Sequence, residues 1–152
     1  MLGYLLRTGA ALELRLEPTL GLVEAEPGRR EQVILNLVLN AADAMNTVDD
    51  RPRDLCVQTL LAPSGEVQLS VRDAGVGLDA SAAERLFDAF YTTKSDGMGV
   101  GLAISRSIIE AHKGRLWAQP NDGPGATFSF SIPHRVSSHQ PNSAQPSEAY
   151  GA

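Results

Sequence analysis

Gln32-Val-Ile-Leu-Asn36-Leu-Val-Leu-Asn40-Ala-Ala-Asp43 is the stretch on which the reading of this chain turns. At about 100° per residue, Gln32, Asn36, Asn40 and Asp43 share one helix face, while Ile34, Leu37, Val38, Ala41 and Met45 share the other. The helix is expected to begin near Pro27, a residue that a first helical turn tolerates, and to run to about Asn46. Glu26 and Glu31 suit its positive end. A solvated face would explain the polar row, yet such faces usually mix Lys and Glu, and Asn is a poor helix former. The chemical alternative is a ligand row: carboxamide oxygens are hard, neutral donors, suited to a Mg²⁺ shared with phosphate oxygens and water.

Three glycine-bearing segments follow in order: Asp73-Ala-Gly-Val-Gly77, Gly97-Met-Gly-Val-Gly101 and Gly123-Pro-Gly-Ala-Thr127. In the first, a carboxylate at a strand end can accept a hydrogen bond from an exocyclic amine such as that of adenine. Gly75 and Gly77 let the backbone turn close to a flat ring. Taken alone, a strand closing in a tight turn explains the segment equally well. The second leads into a helix, where glycines leave free N–H groups and a positive dipole end for phosphates; a flexible connection is the bland reading. It is neither a Rossmann fingerprint nor a Walker A loop, because no strand enters it directly and no Gly-Lys-Ser/Thr occurs.

Periodicity supplies the architecture. Residues 11–17 alternate as a strand with one wet face, and 22–25 form a second short extended piece. Residues 55–61 and 66–72 read as a hairpin around Ala62-Pro-Ser-Gly65. Residues 80–87 suggest a short helix capped by Asp79 or Ser81, and 91–98 a loop. Residues 99–113 suggest a helix ended by His112, Lys113 and Gly114, and 115–119 and 126–132 two closing strands. Antiparallel-looking strands with few helices point to an α+β fold, a two-layer α/β sandwich, with a mixed, mostly antiparallel sheet of about five strands and about three helices.

Composition bounds the rest. The chain has 152 residues, 43% of them apolar, which suits one soluble domain over 1–134. Residues 135–152 are rich in Ser, Pro, Gln and Asn and read as a disordered tail. A net charge of −5 argues against nucleic acid as a partner. No apolar run approaches the roughly 18 residues of a membrane span, so no direct membrane contact is expected. No basic region precedes the short apolar start, so it does not read as a signal peptide. The lone Cys56 allows no internal disulfide. It is expected to be a buried small hydrophobe, and a cytoplasmic setting fits.

Together these segments resemble the catalytic ATP-binding domain of sensor histidine kinases, within the wider group sharing the gyrase and Hsp90 ATPase (Bergerat) fold. The stretch from Gln32 to Ala41 resembles that family's N box, and Asp73 to Gly77 its G1 box. Phe87-Asp-Ala-Phe90 resembles the F box, Tyr91-Thr-Thr-Lys94 the start of the ATP lid, and Gly97 to Leu102 the G2 box. The resemblance covers residues 11–133. It implies that Asn40 holds Mg²⁺ with Asn36 beside it, and that Asp73 binds the adenine amine in a pocket shaped by Gly75 and Gly77. It also implies that Lys94, Gly97, Gly99, Gly101 and Leu102 serve the phosphate end, and that Thr127 supports the Asp73 end through water. Phe87 and Phe90 would be core and hinge at the lid's start. Many members carry a basic residue where this chain has Asp43, so the resemblance assigns Asp43 no role of its own, and a place in the ion or water network is the expectation for it.

The implied reaction is two-component phosphorelay: transfer of the ATP γ-phosphoryl to a histidine on a helical dimerisation domain, then onward to a response regulator. Relatives that hydrolyse ATP or phosphorylate serine carry Glu at the place of Asn36, because water and hydroxyl need a general base. Neutral imidazole, with a pKa near 6.5, has a free lone pair at pH 7. A histidine kinase therefore ranks first, ahead of a serine-kinase or ATPase relative and of a regulatory nucleotide-binding module without catalysis. His112, His134 and His139 do not read as phosphoacceptors. The chain reads as an excised, monomeric domain of a parent that is membrane-bound or soluble.

Overall fold

The computed structural model describes residues 2–20, 28–91 and 100–134. They form α1 (Leu2–Thr8), β1 (Ala11–Arg15), α2 (Arg29–Met45), β2 (Asp54–Leu61), β3 (Glu66–Asp73), a 3-10 turn (Arg85–Phe87), α3 (Gly101–Ala111), β4 (Arg115–Pro120) and β5 (Ala126–Pro133). The five strands make one sheet in the order β1-β2-β3-β5-β4. The β1–β2 pair is parallel and the other three are antiparallel.

Register explains which face the helices cover. Val57 lies opposite Val71, and Val71 opposite Phe128; Leu69 lies opposite Phe130, and Phe130 opposite Leu116. With side chains alternating along each strand, these residues share one face. There they join Val33, Leu37, Val38, Ala41, Ala42 and Met45 of α2 and Ile109 of α3 in a single core. The opposite face is polar, with the Ser70 and Ser129 hydroxyls 2.8 Å apart and Gln68 donating to Ser70 at 3.2 Å. Cys56 lies on that open face and is half-buried, not in the core as expected. Its neighbours Leu55 and Val57 take the inward positions, and the pleat turns residue 56 outward.

The central helix and both closing strands form close to where periodicity puts them. Residues 80–87 do not make an α-helix. Asp79 holds the Ser81 amide at 3.0 Å, consecutive turns follow, and only Arg85–Phe87 closes as a 3-10 turn. Phe87 alone there is buried, meeting Phe128 edge to face at 6.4 Å between centroids. Phe90 is not core: its backbone is left-handed (φ 66°) and its side chain is 77% exposed. Helix α1 was not expected, since seven residues barely show a period; it buries Leu5. The extended piece at 22–25, Pro27, the lid residues 92–98 and the tail lie outside the described residues.

Helix α3 ends with Lys113 N–H donating to Glu110 O and Gly114 N–H to Ile109 O, both at 2.9 Å. Lys113 takes the left-handed position, with φ 58°. Gly114 is required for a different reason: a Cβ there would meet the Ser131 carbonyl and the Ile109 and Ile132 side chains. His112 Nδ1 sits 2.7 Å from the Ile108 carbonyl, as befits a helix-closing residue. Gly114→Ala is expected to cost about 1–3 kcal/mol through overpacking. Lys113→Gly should be neutral or stabilising by about 1 kcal/mol, because the left-handed strain is relieved. Chemical denaturation of both variants checks the pair.

Candidate nucleotide-binding site

Asp73 ends β3 and is only 2% exposed. Its Oδ1 accepts the Gly75 N–H at 2.9 Å and the Ala126 N–H at 3.3 Å. Oδ2 has no hydrogen-bond partner among the described residues. Burial pushes the carboxyl pKa above its usual value, while the two backbone amides pull it down and lose. The result is an aspartate with one oxygen held and one to offer.

The turn at residues 73–77 leans on the C-terminal end of α2. Val76 N–H donates to the Ala44 carbonyl at 3.0 Å, and a Cβ at Gly75 would lie 2.6 Å from that same oxygen. The last helix carbonyls lack intrahelical donors, so the turn satisfies one of them and draws the aspartate against the asparagine helix. Gly77 adopts φ 80° and abuts Gly125, which has φ 89°. A Cβ on Gly125 would collide with the Asp73 carbonyl. Two glycine segments about 50 residues apart are thus one cradle.

Thr127 joins this cradle through a residue that sequence reading passed over. Asn121 donates to the Asp73 carbonyl at 2.9 Å and to the Pro124 carbonyl at 3.0 Å, and accepts the Thr127 hydroxyl at 2.6 Å. An Asn ahead of Asp-Gly-Pro-Gly is a turn signal, and that was the available clue. Arg51 was also missed. Its Nε donates to the Ala74 carbonyl at 3.0 Å and its Nη2 to the Gly75 carbonyl at 2.7 Å. Nothing in the sequence pairs residue 51 with residues 74 and 75.

On α2, the asparagines part company. Asn36 Nδ2 donates to Ser105 Oγ at 3.1 Å and to the Gly101 carbonyl at 3.4 Å, binding the first turns of α3. Ser105 is fully buried. Asn40, one turn further on, is half-buried and without a hydrogen-bond partner among the described residues. Asp43 is half-buried beside Ala44, and Gln32 is exposed. Among the described residues no side chain caps the first amides of α3; Gly101 is exposed and Leu102 packs against the core. Phe90 stands outside these contacts, largely in solvent. Lys94, Gly97 and Gly99 lie outside the described residues. Asn36, Gly101 and Leu102 thus meet at one end of the site, and Asp73, Gly75, Gly77 and Thr127 at the other, with Asn40 on the helix that serves both.

An α+β sandwich of this order, with a buried aspartate in a glycine cradle beside an asparagine helix, defines an ATP-binding domain. The chain belongs to the histidine kinase-, DNA gyrase B- and HSP90-like ATPase family, whose model matches residues 25–136. It is 44% identical over 122 residues to the sensor protein FixL of Bradyrhizobium diazoefficiens, covering 80% of this chain and 24% of that protein. It is 37% identical to the sensor histidine kinase ZraS of Klebsiella oxytoca, covering 81% of this chain and 26% of that one. The chain therefore spans about a quarter of these relatives. Among solved structures, full-length ShkA in complex with AMPPNP superposes with a TM-score of 0.76 at 28% identity, over 88% of this chain and 27% of that one. The nucleotide-free catalytic domain of the histidine kinase ThkA gives 0.74 at 29% identity, over 87% of this chain and 84% of that one. Among the described residues no helix is long and apolar enough to cross a membrane.

Asp73 yields a sign-defined test. An acid whose folded pKa is raised contributes stability that is whole below its unfolded pKa and is lost as pH climbs through the folded one. In the Asp73→Asn variant the carboxamide keeps an acceptor oxygen for Gly75 and Ala126 without the buried charge. Asp73→Asn should therefore gain stability relative to wild type as pH rises from below the ordinary 3.8 towards 7. Thermal melts across that range check it, and a constant difference would show that Asp73 titrates normally.

Proposed function

We propose that this chain is the catalytic ATP-binding domain of a sensor histidine kinase, passing the ATP γ-phosphoryl to a histidine on a separate helical dimerisation domain. The observation that carries the reading is the Asp73 carboxylate, buried with one oxygen held and one open inside a glycine cradle. That arrangement suits an adenine amino group better than a six-keto purine, which would set an oxygen against it. Support also comes from relatives named as sensor histidine kinases, and from the ShkA complex with AMPPNP.

The donor set fits a shared divalent ion. Among the described residues no group of three or more His, Cys, Asp or Glu side chains could hold a metal. Asn40 offers one neutral oxygen, as a Mg²⁺ held mainly by phosphates and water requires. When bound, the ion would neutralise phosphate charge. This chain's own residues do the rest. Asp73, Gly75 and Gly77 seat the base, and the amides opening α3 at Gly101, with Lys94, Gly97 and Gly99, take the phosphates. Such transfer depends on positioning and electrostatics rather than on covalent help from the protein.

Asn36 argues for histidine as the acceptor. Its place would carry the general base in a hydrolase, but a carboxamide cannot take a proton at neutral pH, and its Nδ2 is engaged with Ser105. The partners that follow are a phosphoacceptor domain and a downstream response regulator; ThkA has been solved in complex with the regulator TrrA. The domain itself is proposed to be monomeric and cytoplasmic, with no nucleic-acid partner.

Calorimetric titration of ATP, ADP and GTP, with and without Mg²⁺, tests the site. Adenine-selective binding should be lost in Asp73→Asn, and the Mg²⁺-dependent gain for ATP should be lost in Asn40→Ala. Absence of any ATP binding by the wild type would overturn the reading. Supplying a histidine-bearing helical domain then tests transfer. Lys94→Ala should lower transfer by about a hundredfold while leaving ADP affinity within about threefold. Equal losses of ADP and ATP affinity with normal transfer would remove Lys94 from the phosphate site.

A further inference from the structure

Arg51 sits in the loop between α2 and β2, 22 residues before Asp73 in sequence, yet its guanidinium forks onto two consecutive carbonyls of the adenine turn. Nε reaches Ala74 O at 3.0 Å and Nη2 reaches Gly75 O at 2.7 Å. The third nitrogen, Nη1, is oriented by Asp50 at 3.1 Å. Each carbonyl belongs to a peptide group whose N–H is already committed. The Ala74–Gly75 peptide donates through Gly75 N–H to Asp73 Oδ1 at 2.9 Å. The Gly75–Val76 peptide donates through Val76 N–H to Ala44 O at 3.0 Å. A cation on a carbonyl oxygen polarises its peptide and strengthens the bond made by the N–H at the other end.

We infer that Arg51 is a positioning residue for adenine recognition, locking the orientation of the Asp73 carboxylate through the Ala74–Gly75 peptide and the turn against α2 through the Gly75–Val76 peptide. This rests on the reading of Asp73 as the acceptor of the adenine amine. The geometry is specific to arginine: two carbonyls one residue apart match a planar fork, and a lysine ammonium serves only one of them well. The exposed Asp50 pair adds little by itself; its part is to hold the fork in plane. With Arg51 in place, Oδ1 stays on Gly75 and Ala126, and Oδ2 stays turned to the base. Without it, the carboxylate gains torsional freedom where one rotamer discriminates an amino group from a keto oxygen.

The test is a selectivity measurement on the intact domain, using ADP and its six-keto counterpart IDP as the probes. Calorimetry on wild type, Arg51→Met and Arg51→Lys is run alongside thermal melts. Wild type should prefer ADP. Arg51→Met should lose about tenfold in ADP affinity but under about threefold for IDP, and Arg51→Lys should fall between. In ¹⁵N-resolved spectra the Gly75 amide proton should move upfield in Arg51→Met. Parallel losses for both nucleotides, tracking lost thermal stability, would overturn the inference, and so would an unchanged ADP to IDP ratio. If Arg51→Met does not fold, the ratio in Arg51→Lys decides by the same criterion. A wild type without adenine preference would instead sink the assignment of Asp73 itself.

Discussion

A carboxylate only 2% exposed at the end of a central strand is costly unless its oxygens are hydrogen-bonded, and Asp73 imposes that demand on every segment near it. Gly75 and Ala126 supply amides to Oδ1, and both must approach through backbone that carries no side chain in the way. A Cβ on Gly125 would meet both the Asp73 carbonyl and Oδ1, and Asn121 satisfies the Asp73 main-chain carbonyl beside them. The β3–β5 pairing runs up to Arg72 opposite Thr127, so the last rung of the sheet delivers the aspartate and the threonine to the same place. The amides do not offset burial fully, and the raised pKa is the residue of that imbalance. A ligand that donates a hydrogen bond to Oδ2 would relieve it.

The second organising contact is between helices. Asn36 reaches across from α2 to Ser105 and Gly101, so the N-terminal end of α3 is tied to the helix bearing Asn40. Ser105 is a fully buried hydroxyl, and an unpaired one would be penalised; the carboxamide answers it. The first turns of α3 and the helix bearing Asn40 therefore keep a common register. The α2 C-terminus does the same for the turn at residues 73–77, through the Ala44 carbonyl. One helix thus anchors both the N-terminal end of α3 and the turn at residues 73–77.

Several of these features were legible in the residues alone. The period of α2, the Asp-x-Gly-x-Gly turn after a strand, and the Gly-Thr segment leading into β5 are local patterns, and local patterns survive in one dimension. Other features were not legible, because they depend on approach. Arg51 and Asn121 look like ordinary loop residues until the loop is seen lying on residues 73–75. The resemblance implied that Phe87 and Phe90 are core and hinge at the lid's start. The chain instead forms a 3-10 turn and then a left-handed bend, which buries the first and releases the second. Cys56 sits in an apolar alternation, but the register of β2 turns it to the open face.

The sequence by itself determined the α+β class, the polar face of α2 and the presence of a nucleotide-type glycine set, because hydrophobic period and glycine placement are properties of neighbouring residues. Only the tertiary structure decided which oxygen of Asp73 is left without a partner among the described residues, which asparagine of the row is committed to α3, and which distant arginine holds the turn at residues 73–77. Those outcomes depend on pairings between segments about 20 to 70 residues apart, and hydrogen-bond directions across such separations are set by packing and strand register rather than by any local preference.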